Sequence, residues 1–368
     1  MHRTKKYLAL GVTVAVTLGL ASCSSEEDGP GLGGSADVAT QGGLVVNGEL
    51  IADAELFEAA KDQTLTLYTS YQESSEAEFL KAFTHDTGIK VDMVRLVPAQ
   101  LAERTLTEAG ANKLPADVIR ISDFRFVQQM EEAGVWQDYV PPTSEGLEDE
   151  IIVDNGMVAK VLHPVFTFSY NTNLVTEAEA PKSWMDLTDP KWAGSVSIIR
   201  GTGGGVMDSF NMFAETELDP GYWDALAAQE PIIYDGGLPA VDAIAKGEVK
   251  VGHSGTANVN IMVTNSGAPL QYVIPEEGLV TFDYYLGIAG SSKNIEAAKV
   301  FSNYNLSKRG QSVIASMGDY SVRKDVEPPT SLGMQLPALD SGKVWRSRVE
   351  DPSVVHAARE EWATAFGY

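Results

Sequence analysis

The stretch "SVSIIRGTGGGVMDSFNMF", Ser195 to Phe213, contains the patterns of a strand, a glycine run and a helix in direct succession. Val196, Ile198 and Ile199 are apolar and β-branched, and apolar side chains recur at helical spacing after the glycines. Units of this kind build the parallel sheets of α/β proteins. Glycines at such a junction also let an anion approach the backbone beside the free N–H groups of a helix N-terminus. The stretch therefore predicts an α/β fold and a candidate anion-binding loop.

Strand and helix patterns alternate along the chain outside this stretch as well. "LTLYTS" (65–70) precedes a helical pattern that Gly88 ends, and strand patterns recur at "IKVDMVRL" (89–96), "ADVIRIS" (116–122) and "VFTFSYN" (165–171). No internal repeat of fixed period is present. The alternation predicts mixed, mostly parallel sheets flanked by helices.

The first 22 residues predict a secretory signal peptide. Arg3, Lys5 and Lys6 precede an apolar segment that is too short to span a membrane comfortably, and small residues precede Cys23. Cys23 is the only cysteine of the chain, and its position resembles that of the acylated cysteine in a bacterial lipobox. We therefore expect lipid attachment at Cys23; the alternative is an ordinary signal peptide followed by a chance cysteine. With one cysteine, no disulfide can form within the chain.

The chain is strongly acidic, with 27 Lys and Arg residues against 51 Asp and Glu residues and a formal net charge of −24. Removal of the leader, which carries three basic residues and no acidic residue, leaves 24 against 51, or −27. This charge argues against binding to nucleic acid or to an anionic lipid surface. Residues 24–48 are rich in Ser, Glu, Asp and Gly, so we predict that residues 23–60 carry the lipidated cysteine and a flexible tether.

Several segments together resemble the extracellular solute-binding proteins of ABC importers. "PKSWMDLTDPKWAGSVSI" (181–198) resembles their P-x-x-W-x-D-L-x-x-P-x-W-x-G segment, and "AFTHDTGIKV" (82–91) resembles their F-x-x-x-T-G-I-x-V segment. The segments "GEVKVG" (247–252) and "PEEG" (275–278), with the helical pattern that follows, resemble the branch that binds ferric iron, phosphonates, sugar phosphates, thiamine or polyamines.

The resemblance implies a two-lobed Venus-flytrap fold of the type II periplasmic-binding-protein class. One lobe would comprise residues 61–168 and 282–326, the other residues 169–281, and the C-terminal loop and helices of residues 327–368 would pack on the lobes. The resemblance further implies a monomeric extracytoplasmic receptor, anchored to the cell membrane by its lipid, that delivers a small-molecule solute to a permease and ATPase complex.

In open α/β sheets, ligands bind beyond the carboxyl ends of the strands, so the glycine loop is the best candidate site. Gly201, Gly203 and Gly204 would admit an anion to the backbone, while Thr202 would supply a hydroxyl and Arg200 a bidentate guanidinium. The alternative is a tight turn in which Arg200 pairs with a surface acid.

The sequence of this loop does not match the motifs of nucleotide-binding loops. A Walker A loop requires Lys and then Ser or Thr after its last glycine, and Gly205 is followed by Val206 and Met207. The dinucleotide fingerprint requires Gly or Ala at position 206. Both motifs fail at this position.

Further candidate ligand contacts lie at other strand ends and at the expected hinge. For several of these residues the structural alternative is helix capping by the hydroxyl or carboxylate, and for the histidine it is a structural role. These candidates are Ser70, Tyr71, Ser122, Asp123, Tyr170, Asp235, Gly236, His253, Ser254 and Thr256.

Ser, Thr, Gly and His at these positions suit hydrogen bonding to oxyanions, which favours a phosphonate or a phosphorylated compound. Ferric iron prefers phenolate and carboxylate ligands. The segment "VGHSGTANVNIM" (251–262) lacks the tyrosine pair of the iron-binding branch, so we expect no bare metal site and no cofactor. An iron chelate, thiamine or a polyamine remains an alternative ligand. The alternative from another class is a secreted phosphate-ester hydrolase, but no nucleophile motif is present and we expect no catalytic residue.

Overall fold

The computed structural model describes residues 32–153, 156–346 and 352–368. The predicted signal peptide and Cys23 lie outside these residues. Among the described helices, none combines the length and the apolar character that crossing a bilayer requires.

The strands are β1 (Val38–Ala39), β2 (Gly43–Val46), β3 (Glu49–Asp53), β4 (Thr64–Thr69), β5 (Lys90–Arg95), β6 (Val118–Ile121), β7 (Ile152–Val153), β8 (Val158–Leu162), β9 (Val165–Asn171), β10 (Val196–Ile199), β11 (Ile232–Tyr234), β12 (Val251–Gly255), β13 (Leu270–Tyr272), β14 (Leu279–Thr281), β15 (Tyr284–Ile288), β16 (Thr330–Ser331), β17 (Met334–Gln335) and β18 (Val344–Arg346). The helices are α1 (Ala54–Ala60), α2 (Glu73–Thr87), α3 (Pro98–Gly110), α4 (Phe124–Glu132), α5 (Gly205–Glu217), α6 (Tyr222–Ala227), α7 (Gly237–Lys246), α8 (Thr256–Ser266), α9 (Ile295–Leu306), α10 (Lys308–Met317) and α11 (Pro352–Phe366).

A six-stranded sheet of order β5-β4-β6-β15-β8-β7 forms the first half of the molecule. β4 pairs in parallel with β5 and β6, whereas β15 runs antiparallel to β6 and β8. Successive side chains of β4 point to opposite faces, so Leu67 enters one core with Phe79 and Phe301 while Tyr68 enters another with Leu101 and Val127. Helices therefore cover both faces, as the alternating pattern predicts.

A seven-stranded sheet of order β11-β10-β12-β9-β14-β18, with β13 also paired to β9, forms the second half. β10 pairs in parallel with β11 and β12, and β9 runs antiparallel to β12, β13 and β14. One core of this sheet is aromatic, with Phe166, Trp184 and Phe210 in mutual contact. β10, which leads through the glycine loop into α5, is the second strand from the β11 edge of this sheet.

The chain passes directly from a strand of one sheet to a strand of the other twice, and a third, longer passage through α9 and α10 leads from β15 to β18. It leaves the first sheet after β8 and enters the second with β9, through His163 and Pro164. It returns through Phe282 and Asp283, which split the continuous pattern "VTFDYYLGIAG" into β14 and β15. Both direct crossings are two residues long, and they lie side by side, since Nδ1 of His163 is 2.6 Å from Oδ1 of Asp283.

The predicted flexible tether is wrong from residue 38 onward. β1, β2 and β3 form an antiparallel sheet, and α1 follows it directly. Leu44 and Val46 of β2 are fully buried in the core that α2 and α9 cover. The polar residues that precede β1 hid this segment, because the composition of residues 24–48 as a whole is rich in Ser, Glu, Asp and Gly although β2 itself is apolar.

The C-terminal region belongs to the second sheet. β18 pairs in parallel with β14, and α11 packs on α5 and α6. The Pro-rich segment before it contains the β16–β17 hairpin. The long helical pattern preceding that segment is divided at Ser307, whose side chain caps α10 by accepting a hydrogen bond from the N–H of Gly310.

Candidate functional site

A cavity of about 360 Å³ lies between the two sheets. Its walls come from both halves of the molecule, and both crossing segments contribute to it, through Pro164 and Phe282. Its polar lining includes Ser70, Tyr71, Gln72, Ser75, Arg95, Ser122, Asp123, Arg125, Gln129, Thr202, Asp235, Asn258, Asp319 and Arg359.

Six helices begin at the wall of this cavity. Their N-cap residues, which all line it, are Gln72 of α2, Val97 of α3, Asp123 of α4, Gly204 of α5, Gly236 of α7 and Gly255 of α8. Only α4 among them has its first N–H groups satisfied by the N-cap side chain. The other five direct uncapped N–H groups and the positive ends of their dipoles toward the cavity, an arrangement that suits an anion.

The glycine loop contributes part of this wall. Thr202, Gly203 and Gly204 line the cavity, and Gly204 has a left-handed φ of 88° that favours glycine. A Cβ atom on Gly205 would lie 2.3 Å from the carbonyl oxygen of Ser122, which belongs to the other sheet. At this point the backbone of the loop therefore packs directly against the backbone of the other half of the molecule.

Arg200 and Gly201 face away from the cavity. Nε of Arg200 donates to Oδ1 of Asp235 at 2.7 Å, and its guanidinium lies over the ring of Tyr368, 4.7 Å from the centroid. Gly201 lies against the indole of Trp362. The alternative interpretation of Arg200, pairing with a surface acid, is the one observed, whereas Asp235 and Gly236 do line the cavity.

His253, Ser254 and Thr256 are buried in the second half of the molecule rather than at the cavity rim. His253 is completely buried, packs against Phe166 and Phe210, and its Nδ1 accepts a hydrogen bond from the N–H of Ile199. Burial lowers the pKa of His253 to about 3, so the ring is neutral. Thr256 donates to the carbonyl of Gly318. For His253, the structural alternative is therefore the one observed.

Tyr170 is also remote from the cavity. It belongs to β9, which runs antiparallel to β12, and the pairing of Tyr170 with Val251 places it at the opposite end of β12 from Gly255. Gly255 lines the cavity, with Phe166 as its partner on β9. The hinge interpretation of Tyr170 is wrong because all of β9 already belongs to the second sheet.

Four predicted residues from the first half do line the cavity: Ser70, Tyr71, Ser122 and Asp123. Tyr71 donates its hydroxyl to the buried carboxyl of Asp319, and burial raises the pKa of this tyrosine well above its usual value. Burial raises the pKa of Asp319 to about 6. Asp123 caps α4 and also accepts from Nε of Arg125 at 3.0 Å. These groups are engaged with one another inside the protein.

Three arginines line the cavity, and the sequence patterns indicated none of them. Arg125 and Arg359 both pair with Asp208, at 3.3 Å and 2.5 Å. Arg95, at the end of β5, has no carboxylate partner within the described residues, and its Nε donates to the carbonyl of Tyr71 at 3.3 Å. Arg95 is therefore the cavity cation that is available to a ligand.

Two buried amide oxygens of the cavity lining lack a hydrogen-bond partner within the described residues: Oε1 of Gln72 and Oδ1 of Asn258. Buried polar atoms are nearly always paired in folded proteins. Both residues line the cavity, but the two oxygens themselves are buried.

Residues 114–341 match the sequence model of the family described as bacterial extracellular solute-binding protein. The chain belongs to this family. It is thus a substrate-binding protein of the ABC-importer type, and its relatives in the family are extracytoplasmic binding proteins.

Relatives of this solute-binding protein differ in what they bind. Iron uptake protein A1 of Synechocystis sp. is 26% identical over 336 residues, covering 84% of this chain and 83% of the relative. Spermidine/putrescine-binding periplasmic protein 1 of Haemophilus influenzae is 27% identical over 271 residues, covering 68% and 72%. The periplasmic binding protein AfuA of Actinobacillus pleuropneumoniae, solved with fructose-6-phosphate, superposes with a TM-score of 0.65 at 20% identity over 83% of this chain and 99% of its own.

These comparisons confirm the predicted type II periplasmic-binding-protein fold of this solute-binding protein. The carboxyl ends of the strands, where the site was expected, do line the cavity. The side chains that sequence reasoning missed come from helix starts and distant segments, such as Gln72, Asn258, Asp319 and Arg359. Strand-end position was a usable signal only for Arg95, which closes the "IKVDMVRL" pattern.

Proposed function

We propose that this solute-binding protein captures a small anionic solute, carrying a phosphate or phosphonate group, in the cavity between the two sheets. The observation that carries the proposal is the convergence of five uncapped helix N-termini with Arg95 at one cavity. Phosphate oxygens accept hydrogen bonds from such N–H groups and from guanidinium donors.

Two lobes would close on the solute, one built on each sheet, with His163–Pro164 and Phe282–Asp283 as the hinge. Closure expels water and strengthens the hydrogen bonds to the anion. The closed protein would then present a joint surface to a membrane permease that an ATPase drives. Lipid on Cys23 would keep the protein at that membrane, and the protein would act as a monomer.

Cationic ligands fit the cavity less well. Asp123 pairs with Arg125, Asp235 pairs with Arg200, and Asp319 is bonded to Tyr71, so each of these carboxylates already has a partner. A polyamine would have to displace those partners at the cost of unpaired buried charge.

Bare ferric iron also fits less well than an anion. Tyr71 and Tyr284 line the cavity, but Tyr284 donates to the carbonyl of Ser70 and burial raises its pKa to about 12. Phenolate formation is therefore disfavoured at both tyrosines. The described residues contain no group of three or more His, Cys, Asp and Glu side chains placed to hold a metal. A negatively charged iron chelate, by contrast, would use the same N–H groups as a phosphate.

Calorimetric titration of protein freed of endogenous solute tests the proposal. The panel comprises fructose 6-phosphate, 2-aminoethylphosphonate, inorganic phosphate, ferric citrate, spermidine and thiamine. We expect heat and a raised melting temperature with a phosphate or phosphonate. Binding of spermidine alone, or of no anion at all, would refute the anionic ligand.

The protein is proposed to bind its solute without turning it over. A hydrolase would need a nucleophile next to a general base, and the histidine nearest in sequence to the candidate hydroxyls, His253, is sealed in the core. Release of inorganic phosphate from bound fructose 6-phosphate during overnight incubation would contradict this.

A further inference from the structure

Helix α11 lies outside the residues that match the family and yet reaches the ligand cavity. The family match covers residues 114–341, whereas α11 spans Pro352–Phe366. α11 packs along α5, the helix that begins at the glycine loop, and its Arg359 lines the cavity.

One contact of α11 is with the glycine loop itself. The indole of Trp362 is 1% exposed, and a Cβ atom added to Gly201 would lie 2.3 Å from its Cδ2 atom. On the other side of the loop, Nδ2 of Asn211 donates to the carbonyl of Gly201 at 3.0 Å. The start of the loop is therefore held between α11 and α5.

A second contact neutralises a carboxylate close to the cavity. Asp208 lies in the first turn of α5, and Arg359 donates to both of its oxygens, at 2.5 Å and 2.8 Å. The Asp208 side chain is only 10% exposed. Without Arg359, a buried negative charge would lie beside the N-terminus of α5, and Arg125 at 3.3 Å would be its remaining partner. Such a charge would repel an anion at that helix end.

We propose that α11 is a positioning element of the ligand cavity, in which Trp362 holds the glycine loop in place and Arg359 neutralises Asp208. The second half rests on the proposed function, because the neutralised carboxylate matters only to an anionic ligand. A helix that merely covers apolar surface would instead influence stability alone.

The charge contribution is tested by titrating inorganic phosphate and fructose 6-phosphate into four proteins: wild type, Arg359→Gln, the double variant Asp208→Asn/Arg359→Gln, and His356→Ala. His356 is an exposed residue of the same helix, with a 75% exposed side chain, and serves as the matched control. Arg359→Gln is expected to weaken anion binding roughly tenfold, the effect of one unpaired charge in a partly buried site. The double variant is expected to restore affinity to within about threefold of wild type, because the repelling charge is gone.

Restoration by the double variant is a result that loss of packing cannot produce. Equal affinity of wild type and Arg359→Gln, or failure of the double variant to recover, would overturn the charge contribution. Far-ultraviolet circular dichroism checks that each variant is folded.

The contribution of Trp362 is tested without any ligand, by hydrogen exchange of peptides covering residues 200–206. Trp362→Ala, and the milder Trp362→Leu if alanine does not fold, are expected to speed exchange in these peptides by at least about tenfold relative to His356→Ala. Unchanged exchange in the loop would overturn this part. If wild type binds no phosphate-bearing solute, the proposed function fails, and the exchange measurement alone then decides whether α11 positions the loop.

Discussion

Nδ1 of His163 lies 2.6 Å from Oδ1 of Asp283, and these residues belong to the two short segments that join a strand of one sheet directly to a strand of the other. Nζ of Lys160 approaches the other oxygen of the same carboxylate at 3.1 Å. The contact between His163 and Asp283 therefore joins the two crossings, and Lys160 of β8 adds an ion pair to the same carboxylate. In a protein whose lobes rotate, this junction would stay intact while the surfaces around the cavity separate.

The first prediction concerns that junction. His163 and Lys160 hold the pKa of Asp283 below its usual value even though burial opposes this. Such a carboxylate contributes stability above its unfolded pKa of about 4, and the contribution is lost as the pH falls through the lower pKa of the folded state. Asp283→Asn is expected to lower the free energy of unfolding by about 2–4 kcal/mol at pH 7, since it leaves buried partners unpaired.

Urea unfolding at pH 7 and pH 3 measures this difference, which should shrink at the lower pH. Glu360→Gln is the matched control, because it breaks an exposed contact to His356 at 3.9 Å. That change should stay within about 0.5 kcal/mol of wild type. A deficit in Asp283→Asn that is the same at both pH values would show that charge is not its cause.

The second prediction concerns Gly205, whose backbone packs closely against the backbone of Ser122 in the other half of the molecule. Gly205→Ala would place Cβ 2.3 Å from the carbonyl oxygen of Ser122, a backbone atom that cannot move aside alone. We expect the added methyl group to prevent the two halves from approaching as closely as they do in this structure. Affinity for the anionic solute should therefore fall by at least about tenfold, which corresponds to 1.4 kcal/mol. Small-angle scattering with solute present should show a larger radius of gyration than wild type.

Gly236→Ala is the control for this experiment. Gly236 is the N-cap of α7 at the same cavity, its φ of −169° suits any residue, and an added Cβ would meet no atom within 4 Å. It should bind and close like wild type. Closure by Gly205→Ala equal to that of Gly236→Ala would contradict the steric argument.

The third prediction concerns Arg95. Arg95→Gln keeps an amide donor but removes the guanidinium charge, which has no carboxylate partner in the described part of the chain. A hydrogen bond to a charged group contributes about 1.5–3 kcal/mol, so affinity for fructose 6-phosphate should fall roughly 10- to 100-fold. Arg104→Gln, at a residue paired with Glu108 on the surface of α3, should leave affinity unchanged. Calorimetry on both variants provides the comparison, and equal losses would remove Arg95 from the site.

The fourth prediction follows from Asp319. Its pKa in the folded protein is raised to about 6 by burial, so the folded state holds a proton that the unfolded state releases near pH 4. The sign is therefore opposite to that of Asp283, because stability is complete below pH 4 and is lost as the pH rises through 6. Asp319→Asn should remove about 2–3 kcal/mol of this dependence between pH 4 and pH 7. Parallel stability profiles of the two proteins across that range would disprove the assignment.

Sequence patterns predicted the positions of strands and helices better than they predicted which of these elements pack against one another. The strand pattern at 165–171 coincides with β9, and Gly88 ends α2 in the left-handed conformation. Both signals are local, because they depend on side-chain alternation and on the steric freedom of glycine. The early strands escaped prediction because they are only two to five residues long and directly follow a segment rich in Ser, Glu, Asp and Gly.

The cavity itself was predictable only in part. Position at a strand end placed Ser70, Ser122 and the glycine loop correctly, since parallel strands share a carboxyl edge. The same rule failed for His253, because which side chains of a strand face a cavity depends on how the sheet packs. Contacts such as Tyr71 with Asp319, separated by 248 positions, are a property of the folded chain and have no local signature.

The five uncapped helix starts have a consequence for how this site responds to mutation. Their donors are main-chain N–H groups, and apart from proline every amino acid carries one. If these groups bind the solute as proposed, substituting a single side chain leaves the main-chain donors in place, while side chains such as Arg95 set the affinity and the shape around them. Laboratory evolution of this protein should accordingly exchange one anionic solute for another in few steps, whereas conversion to a receptor for cations should require many.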